Sequence, residues 1–267
     1  MDTVADKQVG WNSRDAWRCL LAIILSAFIV NVWLRIGVRS SPAFSLWLET
    51  PLGLAFSVVI QSGLWLFFAW WYSRVTSVRE FLIHAGLKQG FGFFGWCAAW
   101  VAIGIAFVDS YGVARGWTAS SRQPHSVGYD FFGCAWWFFA LKSVVIAPFC
   151  EEAVTRGFLY RAFRGSYGPF LTTVFIICFS AYFHWGSVSR SVFTFACLAS
   201  LWALLCIVRE RTDSLWNCLL CHAVYNSVGI HLRLPTVIAM FFLLLFFTRP
   251  IISMLRAASA KPTNRDA

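Results

Sequence analysis

Charge is what this chain has least of. Asp, Glu, Lys and Arg together make up 13% of its 267 residues, about half the share of a soluble domain. With 59% hydrophobic residues and a mean hydropathy of +0.65, an ordinary soluble fold is excluded. Short alternating segments are also missing, which excludes a closed membrane barrel. No internal repeat is visible, and that weighs against a transporter built on inverted repeats. No basic block and no aromatic-basic interleaving accompany the net charge of +10, so nucleic acid is not expected as a partner. Residues 1–16 carry Asp2, Asp6, Lys7, Arg14 and Asp15 and lack a small-residue cleavage site; the first apolar run therefore reads as a retained span. Cysteine is present but not as a framework. Cys19, Cys97, Cys178, Cys197 and Cys206 fall inside apolar segments, and the Cys218/Cys221 pair has no second pair to complete a metal site.

What the chain does have is a series of apolar stretches of about 20 residues, the length that crosses ~30 Å of hydrocarbon. The expected fold class is all-α, a polytopic transmembrane helical bundle of about eight spans. They fall at 17–37, 51–72, 91–109, 131–150, 170–187, 191–208, 214–231 and 235–255, with Ser41-Pro42, Ser73-Arg74, Arg115-Gly116, Gly165 to Pro169, Asp213-Ser214 and Pro235 as punctuation. Four regions follow: an N-terminal tail (1–16), N-terminal spans (17–129), a core (130–232), and a last span with its tail (233–267). Putting the N-terminus in the cytoplasm leaves fifteen Lys and Arg residues inside and six outside. Both termini are therefore expected in the cytoplasm. The 15 Trp residues read chiefly as interfacial belts and bundle packing.

Against that apolar background, three polar constellations stand out. An ionisable side chain at the membrane centre costs ~2.5–3.5 kcal/mol on insertion scales and so needs a reason. The first constellation is Glu151, Glu152 and Arg156, at the end of a run from Phe131 to Cys150 whose only charge is Lys142. On a continuing helix Glu152 and Arg156 share a face at i,i+4, while Glu151 is turned about a quarter revolution away. Pro148 is positioned to kink the helix just before them. The second is His184, closing the run Phe179-Ser-Ala-Tyr-Phe. The third is His222 and Asn226, at i,i+4 on one side of a helix whose start Asp213 or Ser214 can cap. An ion pair at a helix end and an interhelical polar clamp, worth ~0.6 kcal/mol per contact, would account for the parts separately. Three helices delivering these groups to one cavity would instead hold a carboxylate with a His to deprotonate water, and a His with an Asn to donate to an oxyanion. That set hydrolyses an amide with no nucleophilic Ser or Cys.

The order of motifs is specific. Glu151-Glu152-x-x-x-Arg156-Gly157-Phe158-Leu159-Tyr160, then His184 after a Phe-containing helix, then Ser214-Leu215-Trp216 followed by His222-x-x-x-Asn226 resembles the CPBP family of intramembrane proteases. That family includes the CAAX prenyl endopeptidases, the bacterial Abi proteins and bacteriocin-processing relatives. The resemblance covers residues 130–232. Its middle motif departs from the family pattern, which has Phe four residues before the His; here that position is Ser180, preceded by Phe179, and Phe183 stands directly before His184. The resemblance implies an intramembrane endopeptidase of glutamic type, with Glu151 as general base and His184 as its partner in activating water. His222 and Asn226 would stabilise the oxyanion, with Glu152 and Arg156 in support. No cofactor is implied by that mechanism; a zinc-dependent version would use Glu151, His184 and His222 as three ligands with an open position. The implied partners are the lipid bilayer and a protein or peptide substrate, lipidated or not, and the implied location is a bacterial inner membrane. A non-catalytic scaffold or immunity protein of the same fold is the alternative.

Overall fold

The computed structural model describes residues 10–48, 50–117, 141–189 and 191–230. The expected span at 235–255, the first half of the span at 131–150, residues 1–9 and the C-terminal tail lie outside these residues. The described residues form an all-α bundle, and four helical stretches are long and apolar enough to cross a membrane: Ser13–Ser40, Phe93–Gly112, Lys142–Phe183 and Val192–Thr212.

Helix α1 (Ser13–Ser40) starts where Asn12 accepts from the Arg14 and Asp15 N–H groups, the usual way to satisfy first-turn donors. A short α2 (Pro42–Leu48) turns the chain into α3 (Pro51–Ser73). Thr50 caps α3 and Pro51 stands in its first turn, where a missing N–H costs nothing. Helix α4 (Val78–Leu82) passes into a wide π-type turn, Ile83–Leu87, before α5 (Phe93–Ala114). From Lys142 the chain runs through a π-type turn (Lys142–Ile146), α6 (Ala147–Glu152), a second π-type turn (Ala153–Leu159) and α7 (Tyr160–Phe183). The short α8 (Trp185–Val188), then α9 (Val192–Thr212) and α10 (Leu215–Ile230), complete the described chain.

Two expectations are modified. The helix does not stop at residue 150; it continues through the glutamates, and the direction changes only at Gly168-Pro169, where Gly168 has φ 72°. Only a residue without Cβ takes that conformation cheaply. At the α9–α10 turn neither Asp213 nor Ser214 caps α10 by its side chain. Asp213 instead closes α9 in the left-handed region at φ 49°, and the Ser214 hydroxyl donates to the Gln89 carbonyl.

Charged side chains collect at one end of the bundle. Arg74 pairs with Asp15 at 2.6 Å, Arg164 with Glu210 at 2.7 Å, and Arg161 with both the Asp213 carboxylate and the His84 carbonyl. Arg209, 2% exposed, donates to the Asp213 carbonyl and fills the space above Gly86, whose φ is 106°. At the opposite end, among the described residues, Ser191 donates to the Trp117 carbonyl. Among the described residues three apolar clusters form the core. One joins Ile23, Trp65, Ala69, Phe158, Phe163 and Phe179; a second joins Ala102, Leu201, Leu205, Val224 and Val228; the smallest joins Ala85, Ala153 and Leu215.

Candidate active site

The two π-type turns flank the glutamates for a local reason. Pro148 has no N–H for the carbonyl one turn back, and its ring crowds that turn; the wide turn at Lys142–Ile146 absorbs the misfit. The freed Ser143 carbonyl is not left bare: Asn226 of α10 donates to it at 2.8 Å. In the second wide turn, Thr155 donates its hydroxyl back to the Glu151 carbonyl at 2.6 Å. Single π-type turns inside helices recur at functional sites.

Glu152 is fully buried, and its Oε1 is shared. Arg156 donates to it at 3.1 Å and the His222 Nδ1 sits 2.8 Å from it. Arg156, also buried, donates further to Thr155 Oγ1 at 2.9 Å and to the Trp202 carbonyl at 3.1 Å, while its Nε has no partner among the described residues. A guanidinium that satisfies a carboxylate, a hydroxyl and a backbone carbonyl offsets much of the cost of removing it from water. The helix spacing thus pairs Glu152 with Arg156 as expected, but Glu152 has a second partner that spacing did not suggest. Gly157 follows directly, and a Cβ there would stand 2.8 Å from the Ala85 Cβ; the motif's glycine is where the α4 turn packs onto this segment.

Accepting from Nδ1–H, Glu152 fixes which imidazole nitrogen of His222 is engaged and leaves Nε2 pointing elsewhere. That nitrogen lies 3.8 Å from Glu151 Oε2, too long for a direct hydrogen bond. The Glu151 side chain is 25% exposed and, with Gln61, Ser62, Trp65, Lys142 and Cys150, lines a cavity of about 100 Å³, room for several waters. His222 stands seven residues into α10, about 10 Å below the charged end of the bundle.

His184 occupies the C-cap of α7. Its Nδ1 bonds the Ser180 carbonyl at 2.9 Å, and its ring lies 5.4 Å from that of Trp202. With Nδ1 donating, Nε2 carries a lone pair able to take a proton. Among the described residues no hydrogen bond or ion pair joins His184 to Glu151 or His222. Its link to the cluster runs through Trp202, whose carbonyl holds Arg156. Glu151, Glu152, Arg156 and His222 are therefore brought together, Asn226 is adjacent on the same helix and engaged with Ser143, and His184 stands one residue away from the group.

This arrangement bears on zinc. Among the described residues no three His, Cys, Asp or Glu side chains are grouped to hold a metal ion. Glu151, His184 and His222 are not grouped there as a three-ligand set.

Two further features escaped the sequence reading. Tyr225 donates to Asp109 at 3.2 Å, a membrane-depth carboxylate on α5 that locks α5 to the helix carrying His222. Lys142, Gln61 and Trp65 face the Glu151 cavity. An unpaired charge inside an apolar run was the available signal for both Asp109 and Lys142.

Residues 133–228, which include all six residues of the three constellations, match the Rce1-like family profile, described as type II CAAX prenyl endopeptidase Rce1-like. No curated protein and no solved structure matches the chain.

Proposed function

Over residues 133–228 the chain belongs to the CPBP/CAAX protease family, and from that premise we propose an intramembrane endopeptidase in which Glu151 activates water. The protein would hydrolyse a peptide bond of a membrane-associated or lipidated protein or peptide. The observation that carries the reading is the geometry around Glu151: a partly solvated carboxylate lining a cavity, 3.8 Å from the Nε2 of a histidine whose other nitrogen is already held.

In the proposed sequence, water enters the cavity beside Glu151. The carboxylate takes a proton as the oxygen attacks the scissile carbonyl, with the His184 Nε2 lone pair as the second acceptor. Negative charge then develops on the carbonyl oxygen. His222 in its protonated form offers Nε2–H to that oxygen, and Asn226 offers the amide hydrogen not used on Ser143. Glu152 and Arg156 act as supports that hold His222 in the required orientation. The proton on Glu151 passes to the leaving amine, and His184 takes the remaining proton of the new carboxyl group and releases it to solvent, which closes the cycle without a covalent enzyme intermediate.

The four candidate spans and the family place the protein in a membrane; we infer the bacterial inner membrane, with the charged end of the bundle facing the cytoplasm. The test is cleavage of membrane-anchored peptides by the purified protein in lipid nanodiscs, read by mass spectrometry. Wild type should generate two fragments and Glu151→Gln none, while both proteins unfold at the same temperature. Equal cleavage by the two would remove Glu151 from the mechanism.

A further inference from the structure

Lys142 is the one charge in the apolar run leading to the glutamates, and the structure sets it on the cavity wall where the Glu151 carboxylate acts on it electrostatically without forming an ion pair. It lines the Glu151 cavity, yet among the described residues it makes no hydrogen bond or ion pair. A cation at this depth is expensive unless something anionic meets it. Two more donors face the same space. Trp65 is only 6% exposed, and its indole N–H has no acceptor among the described residues. Gln61, one turn earlier on α3, also lines the cavity and has no hydrogen-bond partner there. A buried donor is normally paired, and among the described residues the Trp65 N–H is not; the half-buried Lys142 ammonium and the exposed Gln61 carboxamide lie around the same cavity.

The position of α3 adds a second argument. The Trp65 ring packs on Phe183 at 4.4 Å and on Phe179 at 5.9 Å, so the same side chain contacts both the cavity of Glu151 and the turn that carries His184. A ligand group held by Lys142 and Trp65 would lie between the two proposed water-activating residues. Helix α3 contains no Lys, Arg, Asp or Glu, so its polar contribution to this wall is neutral and donor-rich.

We propose that Lys142, Trp65 and Gln61 form a subsite that binds a carboxylate of the peptide substrate beside Glu151. This rests on the peptidase reading above for the nature of the ligand. The carboxylate could belong to an acidic side chain or to the end of the substrate chain, and both present the same pair of acceptor oxygens. One charge-assisted hydrogen bond in a poorly hydrated site corresponds to about 10- to 100-fold in affinity.

The experiment uses the full-length protein in nanodiscs and three fluorescent apolar hexapeptides: one with a free C-terminal acid, one amidated with an internal Glu, and one amidated and neutral. Binding is measured by anisotropy, and recovered peptides are checked for cleavage by mass spectrometry. Wild type should bind at least one acid-bearing peptide about tenfold or more tightly than the neutral one. Whichever acid is preferred identifies the source of the carboxylate. Lys142→Met should abolish the preference and Lys142→Arg should retain most of it. Trp65→Phe, which keeps the ring and removes the N–H, should reduce it several-fold and serves where Lys142→Met does not fold. Equal affinity for all three peptides, binding of none, or a preference that survives Lys142→Met overturns the proposal. Cleavage without acid preference would remove the subsite and leave the peptidase reading standing. Acid-selective binding without cleavage would do the reverse.

Discussion

Removing Arg156 is the sharpest structural perturbation available, because one buried side chain joins three polar partners. Its guanidinium donates to Glu152 at 3.1 Å, to Thr155 at 2.9 Å and to the Trp202 carbonyl at 3.1 Å. Arg156→Met keeps much of the volume but leaves a fully buried Glu152 with His222 as its only partner. Breaking a buried pair from one side costs about 3–5 kcal/mol, chiefly through the uncompensated charge. Glu152→Gln should cost less, since the amide oxygen still accepts from His222 Nδ1–H. The double variant removes both charges, so it should be less destabilised than Arg156→Met alone, by about 1–3 kcal/mol. The assay is equilibrium unfolding in mixed micelles, followed by tryptophan fluorescence. An Arg156→Met protein within about 0.5 kcal/mol of wild type, or a double variant whose cost equals the sum of the singles, would refute the reasoning.

Four further outcomes are expected. Asn226→Ala should lower kcat by about 10²–10³ with little change in KM and cost about 1 kcal/mol through the Ser143 contact; an unaffected kcat in a peptide-cleavage assay removes Asn226 from the oxyanion site. Gly157→Ala forces a Cβ to 2.8 Å from Ala85 and should destabilise by about 1–3 kcal/mol, which an unchanged unfolding midpoint in the same micelle assay would contradict. Glu80, on the exposed α4 turn, is held below its ordinary pKa mainly by hydrogen bonds from Thr76. Its contribution to stability is thus present above the unfolded-state pKa and is lost as pH falls through the lower folded value; Thr76→Ala should raise its titration midpoint in an NMR titration of labelled glutamate. Exhaustive chelation of the purified protein should leave peptide cleavage intact, and loss of cleavage restored by added zinc would reverse the mechanistic assignment.

Much of the helical architecture could be read from hydropathy, because apolar runs of bilayer length leave few alternatives. The helices at 13–40, 51–73, 93–114, 192–212 and 215–230 lie within a few residues of the expected spans. Continuation of the helix past residue 150 was less visible. A Pro and a pair of glutamates suggest an end, but π-type turns on both sides absorb the Pro and let the chain run on. The i,i+4 rule correctly joined Glu152 to Arg156, a local relation. It could not supply the contact between Glu152 and His222, 70 residues apart, because helix spacing carries no information about which helices face each other. The cavity residues Gln61 and Trp65 were illegible for the same reason. A Gln and a Trp in an apolar helix look like ordinary packing until α3 is seen against α6.

Glu151 is the group proposed to activate water. The most direct measurement is a comparison of new protein termini in membranes from cells expressing either wild type or Glu151→Ala at equal levels. A defined set of termini should be present with wild type and absent with the variant. Identical sets in the two membranes would contradict it and favour a non-catalytic scaffold built on the same bundle.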